Sequence, residues 1–276
     1  MPDGTQGDPY IVYYWSDLVE KAAEEGVYIT IGLDINIMSE YPDGDMPQLV
    51  CNAIIDGDNH VISNLYSTSA SYSIVMNNAS SQMSNLFFRN IYKTNNEFVQ
   101  LKGDNSDYHF FRCKFSGITW KPLYRAPDSN GSQHNFKQCS FNIKYKGDQS
   151  AILTHTYSYL GIYNCYFKVD SESSNPLFAS TKSAKITDSY IEANVPTGCY
   201  SLISNSVLDI TTTASFTASG SSSNDLCIIN STHAPNASVS STPGVTVENG
   251  FALVDNAHWL DESYLSGIGF NIGVVT

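Results

Sequence analysis

The sequence predicts a single right-handed parallel β-helix, a solenoid of roughly 25-residue rungs with one short helix at its N-terminal end. Three observations predict this fold. A short apolar motif recurs through the middle of the chain, a second apolar patch follows each copy, and the repeats show no helical periodicity. The chain has 276 residues, of which 42% are hydrophobic and 15% charged, and this composition suits one elongated all-β domain.

The recurring motif has apolar residues on both sides of a small polar residue or cysteine. Its anchors are Asn64, Asn90, Cys113, Cys139, Cys165 and Ser189. They are 26, 23, 26, 26 and 24 residues apart. The second apolar patches lie at residues 74–76, 98–99, 123–124, 152–153, 177–178 and 202–203. The period is too short for a propeller blade of about 40 residues. Because side chains alternate along a strand, we expect the anchors to form one inward column.

The two ends of the chain differ from the repeats. A helix is predicted at about residues 16–25, with Ser16 as its N-cap and Gly26 as its stop. This helix would cover the open apolar end of the stack, as solenoids require. We therefore predict a β-helix with its N-terminal cap over residues 1–244, followed at 245–276 by a C-terminal cap or contact segment.

Two regions resemble bacterial and phage β-helix surface proteins of the pectate-lyase-like superfold. One comprises the opening, with Asp3-Gly4-Thr5 and Trp15-Ser16-Asp17-Leu18, and the later Ile55-Asp56-Gly57-Asp58-Asn59. The other is the ending that starts at Trp259-Leu260-Asp261-Glu262 and runs to Phe270, which is similar to the C-terminus of phage structural proteins. The resemblance implies a parallel β-helix and a fiber or spike of a virion. The superfold also hosts lyases, hydrolases and adhesins, so it does not by itself assign a function.

The charge and the N-terminus restrict the expected partners and location. The net charge is −13 with a pI of about 4.6, and no basic stripe is evident, so neither nucleic acid nor an anionic membrane is an expected partner. The N-terminus carries no secretory signal, and no apolar run is long enough to span a membrane. We therefore expect synthesis in the cytoplasm of a host bacterium and a final place on the virion surface.

Three of the six cysteines, Cys113, Cys139 and Cys165, occupy one column of the repeat. One interpretation is a metal site or disulfides, and the other is a ladder of small buried thiols. Equivalent positions on adjacent rungs are about 4.8 Å apart, whereas the Cβ atoms of a disulfide are about 3.8 Å apart. No CxxC pair is present. We therefore predict buried free thiols, and neither a metal nor a cofactor.

Acidic residues cluster at Asp56, Asp58 and His60, with Asp34 one rung earlier. Such carboxylates can bind Ca²⁺ or act as acid and base, but Asp-Gly-Asp-Asn is also ordinary turn chemistry, and we favour the turn. Lyases of the resembling superfold combine calcium-binding acids with a catalytic Arg or Lys. Acids and bases do not recur here at matching rung positions, and no catalytic residue is predicted.

A second cluster is a candidate ligand-binding site. It comprises Trp120, Tyr124, Arg125, His155 and Tyr157. Aromatic rings beside a guanidinium suit sugar stacking or a protein contact. The alternative is that Tyr124 points inward and Trp120 shields a loop, and the sequence leaves both open.

The C-terminal segment is rich in aromatic and apolar residues. We expect Trp259, Tyr264, Leu265 and Phe270 to lie at a subunit or virion interface, although a private cap on the last rung is the alternative. Phage fibers of this type are commonly homotrimers, which favours the interface. The expected partners are other virion proteins, further copies of the chain and a host-surface glycan. The favoured function is a virion fiber or spike. A β-helix polysaccharide lyase or glycosidase is the alternative, and a bacterial adhesin is a third hypothesis.

Overall fold

The described part of the chain is a parallel β-solenoid, as predicted. The computed structural model describes residues 2–44, 46–68, 71–102, 108–126, 133–147, 153–155 and 159–171, and then the backbone of the strands between residues 178 and 248. All the strand pairs described below are parallel, and strands that are neighbours in a sheet come from successive rungs.

Two helices precede the repeats in the described residues, α1 (Trp15–Ala22) and α2 (Ile37–Glu40). Helix α1 buries Trp15, Leu18 and Ala22 against the first rungs, as expected of an end cap. Ser16 is not its N-cap, because the helix begins one residue earlier. The carboxylate of Glu40 instead accepts hydrogen bonds from the backbone N–H of Trp15 (2.6 Å) and of Ser16 (3.1 Å). Neither helix is long and apolar enough to cross a membrane.

Twenty-eight strands are described. The first fourteen are β1 (Tyr10–Val12), β2 (Tyr28–Ile31), β3 (Ile35–Asn36), β4 (Leu49–Cys51), β5 (Ile54–Asp56), β6 (Val61–Ser63), β7 (Tyr66–Ser67), β8 (Ile74–Met76), β9 (Gln82–Ser84), β10 (Phe87–Lys93), β11 (Val99–Leu101), β12 (Phe110–Phe111), β13 (Lys114–Thr119) and β14 (Tyr124–Ala126). The others are β15 (Gln133–Lys137), β16 (Ser140–Tyr145), β17 (Leu153–His155), β18 (Tyr159–Tyr163), β19 (Tyr166–Ser171), β20 (Phe178–Ser180), β21 (Ser183–Thr187), β22 (Tyr190–Asn194), β23 (Tyr200–Ser204), β24 (Ser206–Thr212), β25 (Phe216–Ser219), β26 (Asp225–His233), β27 (Val239–Ser241) and β28 (Val245–Glu248).

These strands form three sheets that run along the solenoid. Sheet I has the order β1-β2-β5-β9-β12-β15-β18-β21-β23-β25-β27. Sheet II has the order β3-β6-β10-β13-β16-β19-β22-β24-β26-β28, with β7 also paired to β10. Sheet III has the order β4-β8-β11-β14-β17-β20. The parallel pairing therefore continues through β28, beyond residue 244, while the contact segment expected at Trp259, Tyr264, Leu265 and Phe270 lies outside the described residues.

A tight corner joins sheet I to sheet II in successive rungs. Its first residue has a left-handed backbone, with φ of 50° at Asn85, 53° at Arg112, 54° at Gln138 and 53° at Asn164. The next residue points into the core, and at three of these corners it is a cysteine. Backbone hydrogen bonds link the corners from rung to rung, for example from Arg112 N–H to the Lys137 carbonyl (3.0 Å). This two-residue turn positions the candidate site described below.

The predicted inward column is correct for the cysteines and wrong for the two asparagines. Cys113, Cys139 and Cys165 are buried one above the other, and the residue preceding them in the column is Leu86, because Lys114 N–H donates to the Leu86 carbonyl. Asn64 and Asn90 instead occupy left-handed positions further along the sheet II strand, where Asn90 is exposed. Ser189 lies outside the described residues.

The core is built from phenylalanine stacks. Phe88, Phe115, Phe141 and Phe167 lie in register in sheet II, and successive ring centroids are 5.2, 5.1 and 4.4 Å apart with interplanar angles of 17°, 4° and 6°. Phe110 and Phe136 of sheet I form a second stack at 5.2 Å. The two stacks contact each other edge to face. Stacked and edge-to-face contacts are both favourable aromatic geometries, so the rungs are joined by side chains as well as by backbone hydrogen bonds.

The thiols of the core are predicted to be unreactive in the native protein. Cys51, Cys113, Cys139 and Cys165 are buried and form no disulfide, and burial raises the pKa of Cys51 and of Cys113 to about 12. Because the thiolate is the nucleophile, we expect iodoacetamide to modify these four residues only after denaturation. Mass spectrometry of labelled peptides measures this residue by residue, and rapid labelling of Cys139 without denaturant would contradict the buried column.

Candidate functional site

The predicted aromatic cluster is only partly gathered on the surface. Tyr124 is 1% exposed and packs inside against Phe136, with ring centroids 5.1 Å apart, so its ring cannot contact an external ligand. Trp120 and Arg125 are half-buried on the outer side. The inward alternative therefore holds for Tyr124. His155 is described only as backbone in β17, and Tyr157 lies outside the described residues.

Trp120 belongs instead to an aromatic ladder on the outer face of sheet II. Tyr66 and Tyr92 stack at 4.8 Å, Tyr92 and Trp120 follow at 5.0 Å with a tilt of 57°, and Lys146 Nζ lies 5.7 Å from the Trp120 ring centroid. Tyr66 and Tyr92 cover one face of each other's ring, and a Cβ on Gly44 would overlap the Tyr66 ring. The ladder therefore exposes mainly ring edges, which suit hydrogen bonding and edge contacts better than sugar stacking.

An amide ladder runs beside the aromatic one. Asn64 Nδ2 donates to Asn36 Oδ1 (3.0 Å), and Asn90 Nδ2 donates to Asn64 Oδ1 (2.9 Å). Each amide uses part of its hydrogen-bonding capacity along the axis and keeps the remainder for solvent or a ligand. The outer face of sheet II thus presents the same polar groups at successive rungs.

The acidic cluster forms turns, which is the interpretation that the sequence favoured. Asp56 Oδ1 accepts hydrogen bonds from Asp58 N–H and from Asn85 Nδ2, each at 3.0 Å. Asp34 Oδ1 lies 3.1 Å from His60 Nδ1 and accepts the Val61 N–H at 2.9 Å. These two contacts, the Val61 N–H first, lower the pKa of Asp34. The sequence predicted that Asp34 and His60 lie close together, because they are one rung apart.

A groove of about 100 Å³ lies at the corner between sheets I and II, next to this cluster. Its lining comprises Asn59, Asn85, Leu86, Phe87, Arg112 and Lys114. Asn59, Asn85 and Arg112 are left-handed residues on three successive rungs, and Lys114 begins the following sheet II strand. The groove therefore combines two cations and two amides around a small apolar floor. Sequence reasoning missed it, because the anchor alignment did not place Arg112 beside Asn85.

Arg112 is held in place by its neighbours. Its Nε donates to Gln138 Oε1 at 3.0 Å, and its guanidinium lies 4.8 Å from the ring centroid of Phe111. Within the described residues neither Arg112 nor Lys114 has a carboxylate within ion-pair distance. A planar guanidinium held through Nε keeps its terminal nitrogens for a second acceptor.

The charge of the chain is unevenly distributed along the sequence. Residues 1–60 carry twelve acidic residues and a single lysine, whereas residues 108–147 carry seven lysines and arginines and one aspartate. The corner groove lies where the acidic rungs give way to the basic ones. Residues 1–60 therefore carry a net charge of −11 (1 − 12), whereas residues 108–147 carry +6 (7 − 1).

A buried polar column lies at the corner between sheets II and III. Ser67, Lys93, Thr119, Tyr145 and Ser171 follow one another in register, all buried. Lys93 Nζ donates to Ser67 Oγ (3.1 Å) and to the Ser71 carbonyl (2.6 Å). Burial lowers the pKa of Lys93 to about 8, while the nearby Glu97 acts in the opposite direction. This column is internal, so its effect is on stability rather than on ligands outside.

Within the described residues no group of three or more His, Cys, Asp or Glu side chains is arranged to hold a metal ion. No family model, no curated protein and no solved structure matches this chain. The fold is therefore established by strand pairing alone, and the resemblance to phage fibers remains an expectation.

Proposed function

We propose that this protein is a fiber or spike of a bacteriophage particle whose outer β-helix surface contacts a host-surface glycan. The observation that carries the proposal is the pair of side-chain ladders on sheet II, Asn36–Asn64–Asn90 and Tyr66–Tyr92–Trp120. Ladders repeat similar groups along one line, and a linear surface matches a polymer better than it matches a single small molecule.

The fold supports the same role. A solenoid stacked through phenylalanine rings and parallel strands is an extended support with a long lateral surface. Other copies of the chain and other virion proteins are the proposed protein partners, with a homotrimer as the proposed assembly.

Mass spectrometry of purified particles tests the virion role. We expect peptides of this chain in a fixed ratio to the major capsid protein across particle preparations. A host cytoplasmic protein that contaminates the same preparations is the control, since its ratio should fall with each purification step. If this chain falls with it, the protein is not a virion component.

A second candidate function is depolymerisation of a glycan, and the Asp34–His60 contact favours it. A carboxylate 3.1 Å from one imidazole nitrogen can orient the ring and leave the other nitrogen to act as a base. The same carboxylate accepts a turn N–H, which is a purely structural use. If the chain is an enzyme, reducing ends should accumulate from a polysaccharide substrate, and the rate should fall at least tenfold in His60→Ala.

A further inference from the structure

We infer that the corner groove is a recognition site for the carboxylate of an acidic glycan. This inference rests on the proposed function and gives the ligand class of the glycan surface. Its starting point is the set of groups that line the groove. Arg112 and Lys114 supply the positive charge, Asn59 and Asn85 supply amides, and Leu86 and Phe87 form the apolar part.

The corner backbone places the Arg112 side chain at the groove. Arg112 is left-handed with a φ of 53°, as are Asn85, Gln138 and Asn164 at the equivalent corners. The left-handed conformation is therefore shared by this series of corners, and what distinguishes Arg112 is its cationic side chain in the lining of the groove, together with Lys114.

The side chain of Arg112 is prepared for an acceptor. Gln138 accepts its Nε–H, and the Phe111 ring lies under its guanidinium. These contacts fix the plane of the guanidinium and reduce the rotamer freedom that binding would otherwise remove. No carboxylate of the described residues neutralises it or Lys114, so both charges are available to a ligand carboxylate. Gln138 is a positioning residue in this arrangement.

The size and polarity of the groove define how the glycan lies. A volume of about 100 Å³ accommodates one substituent rather than a whole small molecule, so the sugar chain must run outside. Asp56 lies two rungs before Arg112 in sheet I, since Asp56 pairs with Ser84 and Ser84 with Phe111. The carboxylate side of the sugar therefore faces Arg112 and Lys114, and hydroxyl donors face the acidic turn.

A carboxylated glycan is favoured over a polyphosphate for electrostatic reasons. The acidic rungs before the groove, with twelve carboxylates in residues 1–60, repel a long polyanion of high charge density such as DNA. A glycan with one charge per sugar and many hydroxyls can use both the cations and the neighbouring acids. Binding that depends on two cations should weaken as salt is added.

The test is a binding titration of the full chain with labelled polygalacturonate, polysialic acid and hyaluronate, each compared with its carboxyl-reduced form. We expect at least one acidic polymer to bind, and its reduced form to bind at least tenfold more weakly. Arg112→Asn keeps a residue suited to the left-handed corner, so it should fold with unchanged or higher melting temperature and bind about tenfold more weakly. Lys114→Gln should have a similar effect on binding.

Lys168→Asn is the matched control. It removes the same charge from an exposed position on β19, two strands along sheet II from Lys114, and should leave binding unchanged within about twofold. The inference is overturned if none of the three polymers binds, if Arg112→Asn binds as wild type does, or if a single-stranded DNA oligonucleotide binds as tightly as the best glycan. If the chain binds an acidic polymer but is missing from particles, the virion role is rejected and the recognition site in the groove is supported. A chain present in particles that binds no acidic polymer would reject the groove alone.

Discussion

Replacing Phe141 by alanine is expected to lower the free energy of unfolding by about 3–5 kcal/mol, enough to remove a large part of the stability of a typical domain. Phe141 is 1% exposed. Its ring stacks on Phe115 at 5.1 Å and on Phe167 at 4.4 Å, and it meets Phe136 edge to face at 5.6 Å. Alanine would leave a cavity at the middle of the stack and break three aromatic contacts.

Urea unfolding followed by circular dichroism measures this effect. Phe141→Leu should cost clearly less, because it keeps most of the buried volume. Tyr14→Ala is the control, since the Tyr14 side chain is 58% exposed and its loss should change stability by less than about 0.5 kcal/mol. If Phe141→Ala unfolds within that same margin of wild type, the phenylalanine stack does not hold the rungs together.

Because rungs contact only their neighbours, Phe141→Ala should also reduce cooperativity. In a solenoid the stability is a sum of rung and interface contributions, so a weakened middle interface allows the two sides to unfold separately. A lower slope of the urea transition in Phe141→Ala, compared with Tyr14→Ala, is the expected sign.

The fold could be predicted from the sequence because the rung period survives in the apolar residues. Copies of the motif around Phe115, Phe141 and Phe167 are 26 residues apart, and the structure places these residues in register. The end helix could also be predicted, although its cap could not. Glu40 is 24 residues from Ser16 in sequence, and no local pattern connects them.

The alignment of the repeats failed at the asparagines of sheet II, where strand β10 contains a bulge. Phe88 pairs with Phe115 but Ile91 pairs with Gly117, so Arg89 and Asn90 lie opposite Ser116 alone. The aberrant interval of 23 residues arose because Asn90 lies four positions after Leu86, the residue equivalent to Cys113, whereas the rung spacing there is 27 residues (113 − 86). Gly117 has a φ of 155°, and a Cβ there would lie 2.2 Å from the Ile91 carbonyl oxygen.

The candidate site was missed for the same reason. Arg112 and Lys114 are noticed only when Arg112 is aligned with Asn85, whereas the motif had aligned Arg112 with Arg89. The sequence did contain the signal of Asn85 and Asn164 preceding an apolar or cysteine residue, at the start of the sheet II strand. Composition was uninformative, because net charge averages the acidic N-terminal rungs with the basic middle ones.

The stability of the protein is expected to fall steeply above about pH 9, because buried acids must then stay protonated while the unfolded chain ionises. Burial raises the pKa of Cys51 and Cys113 from 9.0 to about 12, and it also raises the pKa of Cys139 and Tyr124 well above their usual values. An acid with a raised native pKa makes the native state hold more protons. Stability is then intact below the unfolded pKa and is lost from there up to the native pKa.

The size of the loss follows from the shifts of the two thiols. At pH 11, two units above the unfolded value, Cys51 and Cys113 each contribute a loss of about 2–3 kcal/mol. Together they approach the whole stability of many domains, which is about 5–15 kcal/mol. Cys139 and Tyr124 add to the loss in the same direction. We therefore expect the free energy of unfolding to fall by several kcal/mol between about pH 9 and 11.

Lys93 opposes this trend over part of the range. Its pKa is lowered from 10.5 to about 8, so between these values the unfolded state binds more protons and stability rises with pH. In Lys93→Met this rise should be absent, so the free energy of unfolding should decline above about pH 9 with no opposing gain. The comparison separates the buried lysine from the buried thiols.

Urea unfolding at pH 7, 8, 9, 10 and 11 under reducing conditions measures the whole effect. The deciding quantity is the slope of the unfolding free energy against pH, because a cavity left by a substitution shifts the curve without tilting it. Cys51→Ala and Cys113→Ala should each reduce the fall between pH 9 and 11 by about 1.4 kcal/mol per pH unit. Exposed Tyr14→Ala should leave the slope unchanged. An unaltered slope in both cysteine variants would mean that the thiols already ionise in the native state, which their complete burial in the stacked core opposes.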